Sequence, residues 1–137
     1  MTRQCLNTNV VALDAPVLRL AAVGLGRRAQ LARLAHRPAE GLVLAAGVDP
    51  RPQARDAFAQ REPKAELFAG LDDLLKRQDI DAVFLTSPDH LHEEQAIAAM
   101  EAGKAVFLEK PMAITVESCD RIVATAQRTG QKLYVGH

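Results

Sequence analysis

The sequence predicts a doubly wound α/β sheet of six mostly parallel strands in the order 3-2-1-4-5-6. Three observations carry that prediction. From Val17 onward, short apolar runs alternate with stretches of helical period, the first run leads into a glycine-containing turn that opens a helix, and the runs number six. At 137 residues the chain has the size of one domain with one core.

Strands are expected at Val17–Val23, Leu42–Val48, Ala65–Phe68, Ala82–Thr86, Lys104–Leu108 and Lys132–Val135. Between the first two, Arg27–His36 carries Leu31, Leu34 and Ala35 at helical spacing, and Pro52–Gln60 opens on a proline suited to a first helical turn. Asp89 is placed to cap a helix whose first turn holds Glu93 and Glu94, and Gly103 ends it where left-handed backbone is tolerated. The last helix spans Val116–Thr129 and stops at Gly130. Its Cys119, Ile122, Val123 and Ala126 share one face, which makes Cys119 a core residue rather than a reactive thiol.

Composition narrows the classes of function. Seventeen basic residues balance 17 acidic ones, so no global field favours nucleic acid or an anionic membrane. The two cysteines, Cys5 and Cys119, form neither a disulfide framework nor a metal-ligand spacing, which suits a reducing compartment and a cytoplasmic protein. Residues 1–16 lack a secretory apolar run and a membrane span, and read as a disordered leader or tail before a single folded domain over residues 17–137.

The first strand runs into Gly24-Leu25-Gly26-Arg27-Arg28-Ala29, a G-x-G-x-x-A turn in the strand-to-helix context that a phosphate site requires. Gly24 permits the turn, Gly26 leaves room for a pyrophosphate beside the backbone, and Ala29 lets the helix approach the sheet. Arg27 and Arg28 oppose the dipole of an unliganded helix, a sign that a bound phosphate reverses; the competing reading is that they are solvated surface residues. Asp49 ends the second strand about 20 residues past this turn, where a carboxylate accepts ribose hydroxyls and favours NAD over NADP. Asp49-Pro50 also suits a plain turn, and Arg51 offers a partner for a 2′-phosphate, so NADP stays open.

Two further segments lie at carboxyl ends of strands, the edge where open parallel sheets bind ligands. They are Thr86-Ser87-Pro88-Asp89-His90-Leu91-His92 and Glu109-Lys110-Pro111, the latter preceded by Ala102-Gly103-Lys104. Together with the glycine turn and Asp49, these segments resemble the glucose–fructose oxidoreductase, inositol dehydrogenase and MocA family across about Val17–His137. The resemblance implies a Rossmann domain binding NAD or NADP, paired in family members with a C-terminal α/β domain, and hydride transfer to or from sugars, inositols and related compounds. It also implies that Lys110 lies beside the nicotinamide and contacts the reacting oxygen, that Glu109 helps position it, and that Pro111 shapes the turn through a cis peptide. By the same resemblance Thr86, Pro88 and His92 line the cofactor cleft; a satisfied helix-start histidine is the other reading of His92.

General chemistry agrees with a lysine in that role, because a departing hydride leaves alkoxide character on the attached oxygen and an ammonium stabilises it. A solvated strand-end lysine is the alternative. The sequence stops at His137, where family members continue into the domain that supplies an aspartate and a histidine for acid–base work, so the expectation is an enzyme fragment that binds cofactor without turnover. The alternative function is a stand-alone module sensing NAD(H), which needs no lysine aimed at the nicotinamide. Apolar surface left at the edge that meets a second domain would favour a homo-oligomer.

Overall fold

The computed structural model describes residues 16–136. Apart from Pro16, the expected leader lies outside the described residues, as do Cys5 and His137. The six strands are β1 (Leu18–Val23), β2 (Leu42–Val48), β3 (Glu66–Phe68), β4 (Ala82–Leu85), β5 (Ala105–Leu108) and β6 (Leu133–Val135). They form one sheet in the order β3-β2-β1-β4-β5-β6, and every pairing is parallel. The helices are α1 (Ala29–Leu34), α2 (Pro52–Arg61), α3 (Leu71–Leu75), α4 (His92–Glu101) and α5 (Val116–Thr129).

Two apolar layers hold the sheet. On one face Ala22 and Leu44 meet Leu25, Ala29, Ala32 and Phe58, the inner surface of α1 and α2. On the other, Val23, Val83, Leu85, Val106 and Leu108 pack against Ala96, Ala99 and Met100 of α4 and Ile122 of α5. A fully buried leucine or isoleucine contributes about 1.5–3 kcal/mol, so these strand ends are held in place by the layer beneath them.

Three expectations about the helices are corrected. The first helix spans six residues rather than ten, with Arg28 as its N-cap, so neither arginine lies inside its first turn. Its buried residues are Ala29 and Ala32, while Leu31 and Leu34 are 40% and 69% exposed. Small side chains take the inner positions because the helix lies close to β1 and β2. Asp89 does not cap α4: it begins a 3-10 turn, Asp89–Leu91, in which the Leu91 N–H bonds the Pro88 carbonyl at 2.9 Å. In α5 the buried residues are Ser118, Ile122 and Thr125, whereas Val123 is 41% exposed and Cys119 half-buried, because the inner stripe follows 118, 122 and 125. Thr115 caps this helix by accepting the Ser118 N–H at 3.1 Å.

The crossover handedness leaves part of one face bare. Right-handed connections place α1 and α2 over β3, β2 and β1, and α4 and α5 on the opposite side of β4, β5 and β6. From Phe84, at the margin of the α1 and α2 layer, outward across the part of that face the described helices leave uncovered, Phe84, Phe107 and Tyr134 occupy neighbouring register positions on β4, β5 and β6. They stack with ring centroids 4.0 and 4.8 Å apart, and Tyr134 is exposed.

Candidate functional site

The carboxyl ends of β1, β2, β4 and β5 meet at one edge. Gly24 has φ +86°, and a Cβ there would fall 2.6 Å from the Ser87 amide nitrogen, so both its backbone and its surroundings demand glycine. Its amide donates to the Val48 carbonyl at 2.8 Å, and its own carbonyl accepts the Thr86 hydroxyl at 2.7 Å. The turn is thereby clamped between β2 and β4. Gly26 is different. A Cβ there would meet nothing nearer than Arg51 Nη2 at 4.0 Å, so internal packing leaves open space above the turn. A phosphate group requiring close approach to backbone fits that space.

Asp49 directly follows β2 and is 3% exposed. Its Oδ2 accepts the Leu25 N–H and Arg51 Nη2, each at 2.9 Å; its Oδ1 accepts the Arg51 backbone N–H at 2.9 Å and Nε at 3.0 Å. Burial pushes the carboxyl up. Hydrogen bonds from the Arg51 side chain, the Arg51 and Leu25 amides, and the guanidinium charge outweigh it, holding Asp49 below its ordinary value of 3.8. Arg55 Nη1 donates to the Asp49 carbonyl at 2.7 Å, a support with no signal in the motif.

Across the edge, His92 is fully buried, with Nε2 2.9 Å from the Ser87 carbonyl and Nδ1 2.8 Å from the Pro111 carbonyl. Both partners are acceptors, so a neutral ring donates to one of them at a time. The residue joins the end of β4 to the turn after β5. The Lys110-Pro111 peptide is cis, as expected. Glu109 is 9% exposed and receives Arg28 Nη1 at 2.6 Å, while Lys110 is exposed.

Two adjoining cavities occupy this edge. The smaller, about 390 Å³, brings together Gly24, Gly26 and Arg28 from the turn, Asp49 and Arg51 from the segment after β2, Thr86 and Pro88 from the segment after β4, and His92 from the start of α4. Glu109, Lys110 and Pro111 close its far side. Of the thirteen residues expected from sequence, Arg27 and Ala29 alone do not line it: Arg27 is exposed elsewhere, and Ala29 is buried under the turn. The larger cavity, about 550 Å³, shares Gly24, Asp49 and Arg51 and adds Ala69, Gly70, Leu71 and Gln95. None of these four was expected. Gln95 accepts the Ser87 hydroxyl, and the short α3 carried too few apolar repeats to be recognised. No cluster of metal-ligating side chains occurs among the described residues.

A family model described as an oxidoreductase family with an NAD-binding Rossmann fold matches residues 18–137. The chain belongs to this family. It is 45% identical over 80 residues to inositol 2-dehydrogenase of Klebsiella pneumoniae, covering 58% of this chain and 24% of that protein. It is 38% identical over 135 residues to a glycosyl hydrolase family 109 protein of Shewanella baltica, covering 88% and 29%. Among solved structures, the WlbA dehydrogenase from Bordetella pertussis, in complex with NADH and UDP-GlcNAcA, superposes with a TM-score of 0.83 at 32% identity, covering 88% of this chain and 36% of that one. This member of the oxidoreductase family thus spans about a third or less of the length of these relatives. Among its described residues no helix is long and apolar enough to cross a membrane.

Proposed function

We propose that this chain supplies the nicotinamide dinucleotide site of an oxidoreductase acting on a sugar, an inositol or a related hydroxyl or carbonyl compound. The observation that carries the reading is the contrast at the turn: Gly24 is required by the chain's own packing, whereas Gly26 leaves a space that internal packing does not use, inside a cavity shared with Asp49 and Lys110. The pyrophosphate is assigned to Gly24 and Gly26, the adenosine ribose to Asp49, and the nicotinamide to the end of the cavity at Lys110.

The bound cofactor supplies or accepts a hydride. Lys110 then offers an ammonium to the oxygen of the reacting carbon, Glu109 sets the start of that turn, and His92 holds it against β4 through the Ser87 and Pro111 carbonyls. Arg51 bears on cofactor choice. Its guanidinium already gives Asp49 two hydrogen bonds beside those of the Leu25 and Arg51 amides, so NAD must draw the ribose hydroxyls into a shared arrangement, whereas NADP can offer a 2′-phosphate to the same arginine. The buried Asp49 favours NAD; NADP is the second cofactor to test.

Calorimetric titration with NADH, NADPH and ADP-ribose tests the reading. Binding is expected for all three, tightest for NADH, and Gly26→Val should weaken it markedly by filling the open space. Absence of heat at millimolar concentration from every one of them would overturn the assignment.

A further inference from the structure

We propose that Arg28 is a positioning residue standing between two anions, the Glu109 carboxylate and the dinucleotide phosphate, and that it allows an acidic side chain to sit in the phosphate cavity. This rests on the nucleotide reading above and goes beyond it by assigning the charge balance of the site.

Arg28 precedes α1 at the end of the glycine turn, and its Nη1 bonds Glu109 Oε2 at 2.6 Å across 81 positions of sequence. The carboxylate is the buried partner, with its side chain 11% exposed, and the guanidinium is the open one at 55%. Both line the cavity that holds Gly24, Gly26 and Lys110. Glu109 has little freedom to withdraw. Its amide bonds the Leu85 carbonyl at 3.0 Å, and on its other side a Cβ on Gly136 would come within 3.2 Å of Oε1.

A carboxylate held this way in a small cavity repels an entering pyrophosphate. A guanidinium carries five N–H donors in a fixed fork, and among the described residues Nη1 alone of Arg28 is paired. The residue lines the cavity and its remaining donors have no protein acceptor among the described residues, so the group can keep Glu109 while receiving a phosphate oxygen. Lysine, as a point charge, fills that bridging role less well. Because Glu109 directly precedes Lys110, the bridge also sets where Lys110 begins.

The test is a double-mutant cycle read by calorimetry with NADH, ADP-ribose and inorganic pyrophosphate, each variant's fold being followed by circular dichroism melting. Arg28→Met should weaken NADH binding about tenfold or more. Glu109→Gln should tighten binding about twofold in the parent chain but about tenfold in the Arg28→Met background, where the carboxylate is no longer screened. Pyrophosphate alone should show the same sign. A salt bridge that merely stabilises the fold would give no gain in affinity from the second substitution. Strictly additive effects of the two substitutions, or an Arg28→Met chain that binds like the parent, would overturn the proposal while leaving the nucleotide site intact. Failure of the parent chain to bind any of the three ligands would remove both. If Arg28→Met does not fold, Arg28→Lys replaces it, with Glu109→Gln expected to tighten binding at least threefold in that background and an unchanged affinity counting against the bridge.

Discussion

Gly24 and Gly26 lie two residues apart and answer to different forces, so substitutions at the two positions should separate stability from ligand affinity. Gly24→Ala places a Cβ against the Ser87 backbone in left-handed conformation; the backbone term alone is about 1–3 kcal/mol, and a lowered melting temperature is expected. Gly26→Ala meets open space and has no positive φ, so its melting temperature should hold or rise by the equivalent of about 0.4–1 kcal/mol. A loss of NADH affinity without loss of stability would then be specific to the ligand. At Asp49 the expectation concerns a ratio: Asp49→Ala should narrow the preference for NAD over NADP, measured as the quotient of the two dissociation constants. An unchanged quotient would reduce Asp49 to a residue that braces Leu25 and Arg51. Most of these residues were legible in the sequence because their chemistry is local to a motif. The pairing of Arg28 with Glu109 was not, since 81 positions separate them and only the fold brings the ends of β1 and β5 to one edge.

The elements repeat this division between local and distant causes. The strand order, the parallel pairing and the limits of α5 followed from apolar runs and from Gly130, whose φ of +71° ends that helix. The inner face of α1 did not follow, because periodicity favours leucine as the buried residue while close approach to the sheet selects Ala29 and Ala32. Substitution should expose this: Leu34→Glu should change stability by no more than about 0.5 kcal/mol, whereas Ile122→Ala, beneath β5, should cost about 2–5 kcal/mol in denaturant melts. Helix pairing also carries a pH signature. Hydrogen bonds from Arg121 and then Ser118 draw Glu93 down to about 2 from its ordinary 4.5, tying α4 to α5. An Arg77 hydrogen bond likewise draws Asp79 to about 2 from 3.8. Folded values below unfolded ones mean that the stabilisation is complete above about pH 4.5 and is lost as pH falls toward 2. Melting temperatures should therefore stay level down to about pH 5 and decline below it, and Glu93→Gln should make the decline shallower.

At the scale of the whole molecule, the chain is expected to bind cofactor without sustained dehydrogenase turnover. Productive hydride transfer needs the two carbons held within about 3–3.5 Å, and such positioning is worth about 7–11 kcal/mol. Lys110 is exposed, so its charge acts through water, and a wetted ammonium stabilises a developing alkoxide far less than an enclosed one. An absorbance assay with sugars, inositols and small polyols, on protein whose cofactor binding has been verified, checks this; turnover abolished by Lys110→Ala would reverse the expectation.

The stacked rings on the bare side of β4, β5 and β6 have an optical consequence. Tyrosine occurs once in the chain and tryptophan not at all, so emission excited beyond the phenylalanine band has a single source, Tyr134, seated on an exposed strand against Phe107. Anything that settles over that face shields one phenol from iodide quenching, and a single decay component should report it. Meanwhile the near-ultraviolet window used to follow NADH is free of indole background, so occupancy of one side of the sheet and coverage of the other can be read in the same cuvette.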